Sequence, residues 1–121
     1  MSYATKYAGN YGEGLVAQSL KQSGFLILKQ NYQKQMGEID IIARKKDLII
    51  FVEVKLRRNP LFDPTLVINE SKRKKIIHVA KTFMAESEIT EAIFRFDVAI
   101  VYEQNNSMHI NYIANAFSEE T

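Results

Sequence analysis

The sequence contains no cysteine and only two histidines, His78 and His109. Without cysteine the chain cannot form a disulfide, use a thiol nucleophile, or bind zinc or an iron–sulfur cluster through thiolates. The two histidines are far apart and form no paired-imidazole metal motif. Any metal chemistry must therefore rest on oxygen ligands, which suit Mg²⁺ or Mn²⁺ better than zinc or copper.

Long apolar runs are also missing. The run 48–52 has five residues, far short of the roughly 20 that a membrane-spanning helix needs. The N-terminus shows no basic and apolar signal pattern, so we expect a cytoplasmic protein without a membrane partner. The composition of the 121 residues, 46% hydrophobic and 25% charged, predicts one globular domain over 1–121, with 118–121 as a frayed tail.

The net charge of +2 is unevenly distributed along the chain. Residues 44–81 contain eleven Lys or Arg and four Asp or Glu, a net charge of +7, whereas the remainder carries −5. A basic segment within an acidic frame is typical of a surface that faces phosphates, although a solvated charged helix gives the same count. We therefore expect a nucleic-acid partner.

Apolar periodicity predicts two helices and five strands in the order αβββαββ. The helices are expected at 11–23 and 70–87, with Asn69 or Ser71 as the cap of the second. The strands are expected at 25–28 (with Tyr32), 39–43, 48–56, 94–102 and 108–113. This order indicates an α/β fold with a mixed central sheet flanked by helices.

Charged residues interrupt an otherwise apolar strand at Glu53 and Lys55, which the two-residue period places on one face. Burying such groups costs several kcal/mol unless they are paired or bind an ion. A two-residue turn at 46–47 sets Asp40 opposite Glu53, with the two carboxylates roughly 5 Å apart at Cβ. A three-residue turn without a bulge would instead place Asp40 on the wrong face.

Two carboxylates at this distance repel each other unless a divalent cation lies between them. With water and a nearby lysine they would form a magnesium site, which could activate a water and neutralise a scissile phosphate. Lys55 could then orient the attacking water or stabilise the pentacovalent phosphate. The alternative is a cross-strand salt bridge of Lys55 with Asp40 or Glu53. Phosphodiester hydrolysis is the reaction that such a metal site suits.

Other charged residues extend the candidate site, and each has a structural alternative. Glu13 faces inward from the first helix, as a further ligand or as an acid stabilised by the helix dipole. Asp97 is a candidate for the site or a structural partner of Arg95. The candidates for contact with the DNA backbone are Arg57, Arg58, Lys72 and Lys75.

The ordered set of these motifs resembles the YraN family of predicted endonucleases. The resemblance is carried by residues 9–13 (GNYGE), 37–43 (GEIDIIA), 51–55 (FVEVK), 71–72 (SK) and 95–98 (RFDV), with Ala17, Leu20, Gly24, Asn31 and Arg57. It implies a restriction-endonuclease-like fold similar to Holliday junction resolvases. It also implies that Glu13, Asp40 and Glu53 are metal ligands and Lys55 the catalytic lysine. Lys72 matches a lysine near the site, and Glu38 belongs to the GEID signature without an assigned role.

The function expected from these residues and from the resemblance is that of a Mg²⁺- or Mn²⁺-dependent DNA endonuclease in repair or recombination, with branched DNA as one substrate class. A non-catalytic DNA-binding or scaffolding module with a vestigial site is the alternative, and a protein-interaction domain is a third. A resolvase needs two active sites to cut two strands symmetrically, which a homodimer would supply.

Overall fold

The computed structural model describes residues 2–57 and 68–119, and the elements in these ranges follow the predicted order αβββαββ. The helices are α1 (Ser2–Gln22) and α2 (Glu70–Glu86). The strands are β1 (Leu26–Lys34), β2 (Gly37–Lys45), β3 (Leu48–Arg57), β4 (Ile93–Gln104) and β5 (Ser107–Phe117). None of the described helices is long and apolar enough to cross a membrane.

The five strands form one mixed sheet in the order β1-β2-β3-β4-β5. Neighbouring strands are antiparallel except β3 and β4, which are parallel and are connected through α2. Helix α1 covers one face of the sheet, hereafter the α1 face, and α2 covers part of the other, the α2 face. This mixed α/β architecture confirms the predicted fold class and is consistent with a restriction-endonuclease-like domain.

Two hydrophobic clusters hold the layers together. On the α1 face, Val16 and Leu20 pack with Val52 and other strand residues. On the α2 face, Val79 and Phe83 pack with strand residues that include Ile39 and Phe96. Because β3 and β4 are covered on both faces, they read as nearly continuous apolar runs in the sequence.

The C-terminal end of α1 and the N-terminal end of α2 follow their sequence signals. Helix α1 ends at Gln22, and the φ of +95° at Gly24 permits hydrogen bonds from the Gly24 and Phe25 amides to the Lys21 and Leu20 carbonyls. Helix α2 begins after Asn69, whose side chain accepts from the Lys72 amide at 2.8 Å, so Asn69 rather than Ser71 is the cap. Helix α1 starts at Ser2, nine residues before the predicted position. The prediction missed this part of the helix because residues 2–10 lack the apolar period that marks the rest.

The β2–β3 hairpin has the predicted register. Lys45 pairs with Leu48 across a two-residue turn, and the ladder continues to the pair of Ile41 and Val52. Lys46 in the turn has a φ of +55°, which allows the tight reversal. The pairing of β2 with β3 ends at Val52, so Asp40 and Glu53 fall where the two strands separate.

The predicted tail at 118–121 lies partly outside the described residues. Within the described part, Glu119 forms an ion pair with Lys81 on α2. Residues 120–121 and the predicted loop around 60–64 lie outside the description.

Candidate active site

A cavity of about 400 Å³ opens on the α2 face, between β2, β3 and the first turns of α2. Its lining side chains include Glu38 and Asp40 from β2, Glu53 from β3, and Lys72 and Lys75 from α2. These residues are separated by up to 37 positions in the sequence, and the hairpin register and the helix cap bring them to one place. The cavity therefore combines carboxylates with lysines.

Glu53 is the most buried acid of this cavity, with 7% of the residue exposed. Its Oε1 forms ion pairs with Lys72 Nζ at 3.1 Å and with Lys55 Nζ at 3.4 Å. The predicted salt bridge of Lys55 is therefore present, but it joins two residues of the same strand. Two partners compensate the burial of this carboxylate, which would be strongly unfavourable alone.

Asp40 occupies the point where β2 and β3 separate. Its Oδ2 accepts a hydrogen bond from the Val54 amide at 2.8 Å, which replaces a ladder bond between the strands. Burial, the Glu53 charge and the Glu13 carboxyl raise the pKa of Asp40 from 3.8 to about 8, although the Val54 hydrogen bond opposes this. Asp40 thus lies in a buried, acidic environment that disfavours its charged form.

Glu13 reaches the same point from α1, on the other side of the sheet. Its carboxyl group is hydrogen-bonded to that of Asp40, and this contact lowers the pKa of Glu13 and raises the pKa of Asp40. Burial raises the pKa of Glu13, and the charges of Glu38 and Glu53 add to this effect, while the contacts with Asp40 and Asn31 oppose it. The inward orientation predicted for Glu13 is therefore correct.

Asn31 also belongs to the site, although the sequence predicted no role for it. With its amide nitrogen turned towards the acids, it donates to the two Glu13 oxygens at 3.1 and 3.2 Å and to Glu38 Oε1 at 3.3 Å. It lies within β1 with a φ of +51°, a left-handed conformation that asparagine adopts more readily than most residues. A polar, turn-forming residue inside a strand was the available signal.

The two lysines of the site differ in their electrostatic environment. Burial lowers the pKa of Lys55, and the neighbouring Lys72 lowers it further against the opposing Glu53 charge. Burial also lowers the pKa of Lys72, but its hydrogen bond with Lys55 and the Glu53 charge outweigh burial and raise the pKa overall. Lys72 therefore holds its proton more firmly than Lys55 does.

The remaining basic candidates surround the cavity less closely. Lys75 is exposed and lies beside Gly37, where an added Cβ would approach the Lys75 Cβ to 3.4 Å. Arg57 ends β3, and its Nη1 donates to the Leu56 carbonyl at 2.9 Å. Arg58, the fourth predicted DNA contact, lies outside the described residues.

Asp97 does not join this site. It is fully buried on the α1 face of β4, where it accepts from Arg95 Nε at 2.8 Å and Arg95 Nη2 at 2.9 Å. The Tyr112 hydroxyl donates to it at 2.5 Å and the Asn115 amide at 2.8 Å. These bonds fix the register shift between β4 and β5, so the structural alternative for Asp97 is the correct one.

The acids of the cavity could hold a hard cation such as Mg²⁺ through two carboxylates, but not through three. Across 2–57 and 68–119, no three acidic or histidine side chains are arranged to hold an ion. Glu13 is hydrogen-bonded to Asp40, and Glu53 forms ion pairs with two lysines. Asp40 and Glu53 nevertheless line one polar cavity, and burial together with the Glu53 charge raises the pKa of Asp40. Mg²⁺ keeps several waters and accepts one or two carboxylates, so this donor set suits it.

A comparison with known proteins shows which family the chain belongs to. Residues 12–101 match the profile of the family described as "Uncharacterised protein family UPF0102". The chain belongs to this family, also called the YraN family. The UPF0102 match begins just before Glu13 and includes every described residue of the cavity.

Individual UPF0102 relatives align over nearly the whole chain. A UPF0102 protein of Clostridium acetobutylicum is 42% identical over 97% of this chain and 98% of its own length. One from Clostridioides difficile is 43% identical over 93% of this chain and 97% of its own length. One from Caldicellulosiruptor saccharolyticus is 39% identical over 90% and 95%, respectively.

Proposed function

We propose that this chain is a Mg²⁺- or Mn²⁺-dependent DNA endonuclease that hydrolyses phosphodiester bonds in the cytoplasm. The observation that carries the proposal is the cavity in which Asp40 and Glu53 lie beside Lys55, with a pKa of about 8 at Asp40. A divalent cation would offset the charge of two neighbouring buried carboxylates, and metal sites of this kind serve phosphoryl-group chemistry.

Asp40 and Glu53 would hold the ion, and Glu13 would orient Asp40 through the hydrogen bond that they share. When bound, the ion would neutralise charge on the scissile phosphate and lower the pKa of the attacking water. Glu53 would exchange part of its contact with the lysines for this role, which frees lysine donors for the phosphate.

Lys55 and Lys72 would then act on the substrate directly. Their ammonium groups lie within 3.4 Å of Glu53 Oε1, so both can contact the oxygens of a phosphate that lies next to Glu53. The water oxygen would form a bond to phosphorus as the P–O bond to the sugar breaks. The proton that the attacking water loses would pass to solvent, and the leaving oxygen would take one from solvent. Lys75 and the first turn of α2 would hold a neighbouring phosphate.

The test is cleavage of labelled four-way-junction, flapped, single-stranded and duplex DNA with Mg²⁺ or Mn²⁺. We expect Asp40→Asn, Glu53→Gln and Lys55→Ala each to abolish cleavage while the far-UV circular dichroism stays unchanged. Lys74→Ala is the matched control, because Lys74 lies on the same helix but is exposed and paired with Glu70. Absence of cleavage of all four substrates by the wild type with either metal would refute the proposal.

A second candidate is a DNA-binding module without catalysis. It is favoured by the pairing of Glu53 with two lysines and by the lack of a three-ligand cluster in the described part of the chain. This candidate predicts salt-dependent DNA binding that survives Glu53→Gln and weakens when Lys72 and Lys75 are neutralised. Metal-dependent cleavage that is lost in Glu53→Gln would exclude it.

A further inference from the structure

An aromatic pair lies beyond the cavity on the same face of the sheet. Tyr102 on β4 pairs in register with Arg57 on β3 and with His109 on β5. Lys55 pairs with Ile100 one step earlier along the strands, and Ile100 belongs to the α2-face cluster. Because side chains alternate between faces, Tyr102 and His109 lie on the α2 face, as Lys55 does.

The spacing of this pair from the site follows from sheet geometry. Tyr102 is one strand across and two residues along from Lys55, which puts their Cα atoms about 8 Å apart. A base that contacts Tyr102 would therefore belong to a nucleotide close to the phosphate at Lys55.

The two rings are held in a stacked arrangement before any ligand binds. Their centroids are 5.5 Å apart and their planes differ by 21°. His109 Nε2 lies 3.1 Å from Ser107 Oγ and 3.3 Å from the Gln104 carbonyl, which fixes the imidazole. The turn that joins the strands has positive φ at both Asn105 and Asn106, the geometry that matches the twist of a hairpin.

The surroundings of the pair suit a polyanion. His109 is exposed and Tyr102 is partly exposed, so an aromatic surface is accessible. Glu103, the nearest acid on β4, pairs with Met108, which packs in the α1-face cluster. Its side chain therefore points to the opposite face, whereas Arg57 and Lys55 share the face of the rings.

We propose that Tyr102 and His109 form a stacking platform for one unpaired nucleobase of DNA, next to the phosphate held at the carboxylate site. The platform rests on the proposed function and specifies its substrate, because only a base outside a duplex stack can lie on an aromatic side chain in this way. It selects DNA with an unpaired nucleotide near the scissile bond. Both residues follow position 101, where the UPF0102 match ends.

Cross-strand aromatic pairs also stabilise hairpins, so the experiment must separate stacking on DNA from stability. Binding of a fluorescein-labelled single-stranded dT oligonucleotide and of a blunt duplex of equal length is measured by anisotropy in EDTA. Tyr102→Thr removes the ring but keeps strand propensity, and Tyr102→Phe keeps the ring. Phe94→Thr is the control, since Phe94 is an exposed aromatic residue on the same strand and face at the far end.

We expect Tyr102→Thr to weaken single-strand binding about 5- to 100-fold while duplex binding changes less than about 2-fold. Tyr102→Phe and Phe94→Thr should both bind like the wild type. A single-stranded oligonucleotide with one 2-aminopurine should lose its fluorescence on binding to the wild type but not to Tyr102→Thr, which reports stacking itself.

The platform is refuted if the wild type does not bind single-stranded DNA, or if Tyr102→Thr binds it as the wild type does. It is also refuted if Tyr102→Phe loses as much affinity as Tyr102→Thr, or if both DNA forms weaken equally. Stacking of the oligonucleotide without cleavage under any metal condition would remove the nuclease function and retain the platform. Metal-dependent cleavage by the wild type, together with single-strand binding by Tyr102→Thr that equals the wild type's, would retain the nuclease function and remove the platform.

Discussion

Replacement of Asp40 by Asn should stabilise the folded protein at alkaline pH when no divalent ion is present. In the fold, burial and the Glu53 charge raise the pKa of Asp40 from 3.8 to about 8. The asparagine keeps an oxygen that can accept from the Val54 amide, which Asp40 does at 2.8 Å. It also carries an amide group that can donate to Glu13. The substitution therefore removes the unfavourable charge while it retains the local hydrogen bonds.

The magnitude follows from the difference in proton binding between the two states. The folded pKa lies above the unfolded value, so the stabilising contribution of the protonated group is complete below about pH 4 and is lost as the pH rises through about 8. Each pH unit in that interval costs about 1.4 kcal/mol. Between pH 5 and pH 8 the wild type should thus lose on the order of 4 kcal/mol relative to Asp40→Asn.

The assay is urea denaturation of both proteins at pH 5 and pH 8 in EDTA, followed by circular dichroism. Addition of Mg²⁺ at pH 8 should stabilise the wild type, by about 2.7 kcal/mol at 100 times the dissociation constant, and leave Asp40→Asn nearly unchanged. Glu70→Gln is a control, because Glu70 is exposed on α2. If the stability difference between the wild type and Asp40→Asn changes by less than about 1 kcal/mol from pH 5 to pH 8, the reasoning is wrong.

Three further substitutions test the surroundings of the site. Asn31→Asp would place a third negative charge against Glu13 and Glu38, so we expect it to abolish cleavage, whereas a variant that keeps wild-type turnover would contradict the positioning by Asn31. Asp97→Ala should lower the free energy of unfolding by about 3 kcal/mol, measured by urea titration, because the Asn115 amide loses its acceptor; a change under about 1 kcal/mol would disagree. Lys72→Ala should weaken DNA binding and reduce its salt slope by about 1, measured by anisotropy, and an unchanged slope would argue against a phosphate contact.

The sequence by itself determined the local structure that presents the site. A two-residue turn at 46–47 fixed the register of β2 and β3, because a hairpin with a defined turn has only one alignment of its strands. The apolar stripe and the Asn69 cap located α2 almost to the residue. The polar interruption at Glu53 and Lys55 was informative because charges inside an apolar strand require partners.

The tertiary structure decided which of these charges interact. Glu13 and Lys72 approach from helices on opposite faces of the sheet, so no period in the sequence relates them. Only their packing shows that Glu13 is bonded to Asp40, while Glu53 is neutralised by two lysines. Asn31 became part of the site through a left-handed backbone conformation within β1. Periodicity and turn length constrain only neighbours along the chain and within a hairpin, whereas the protonation and pairing of buried charges depend on the distances that packing sets.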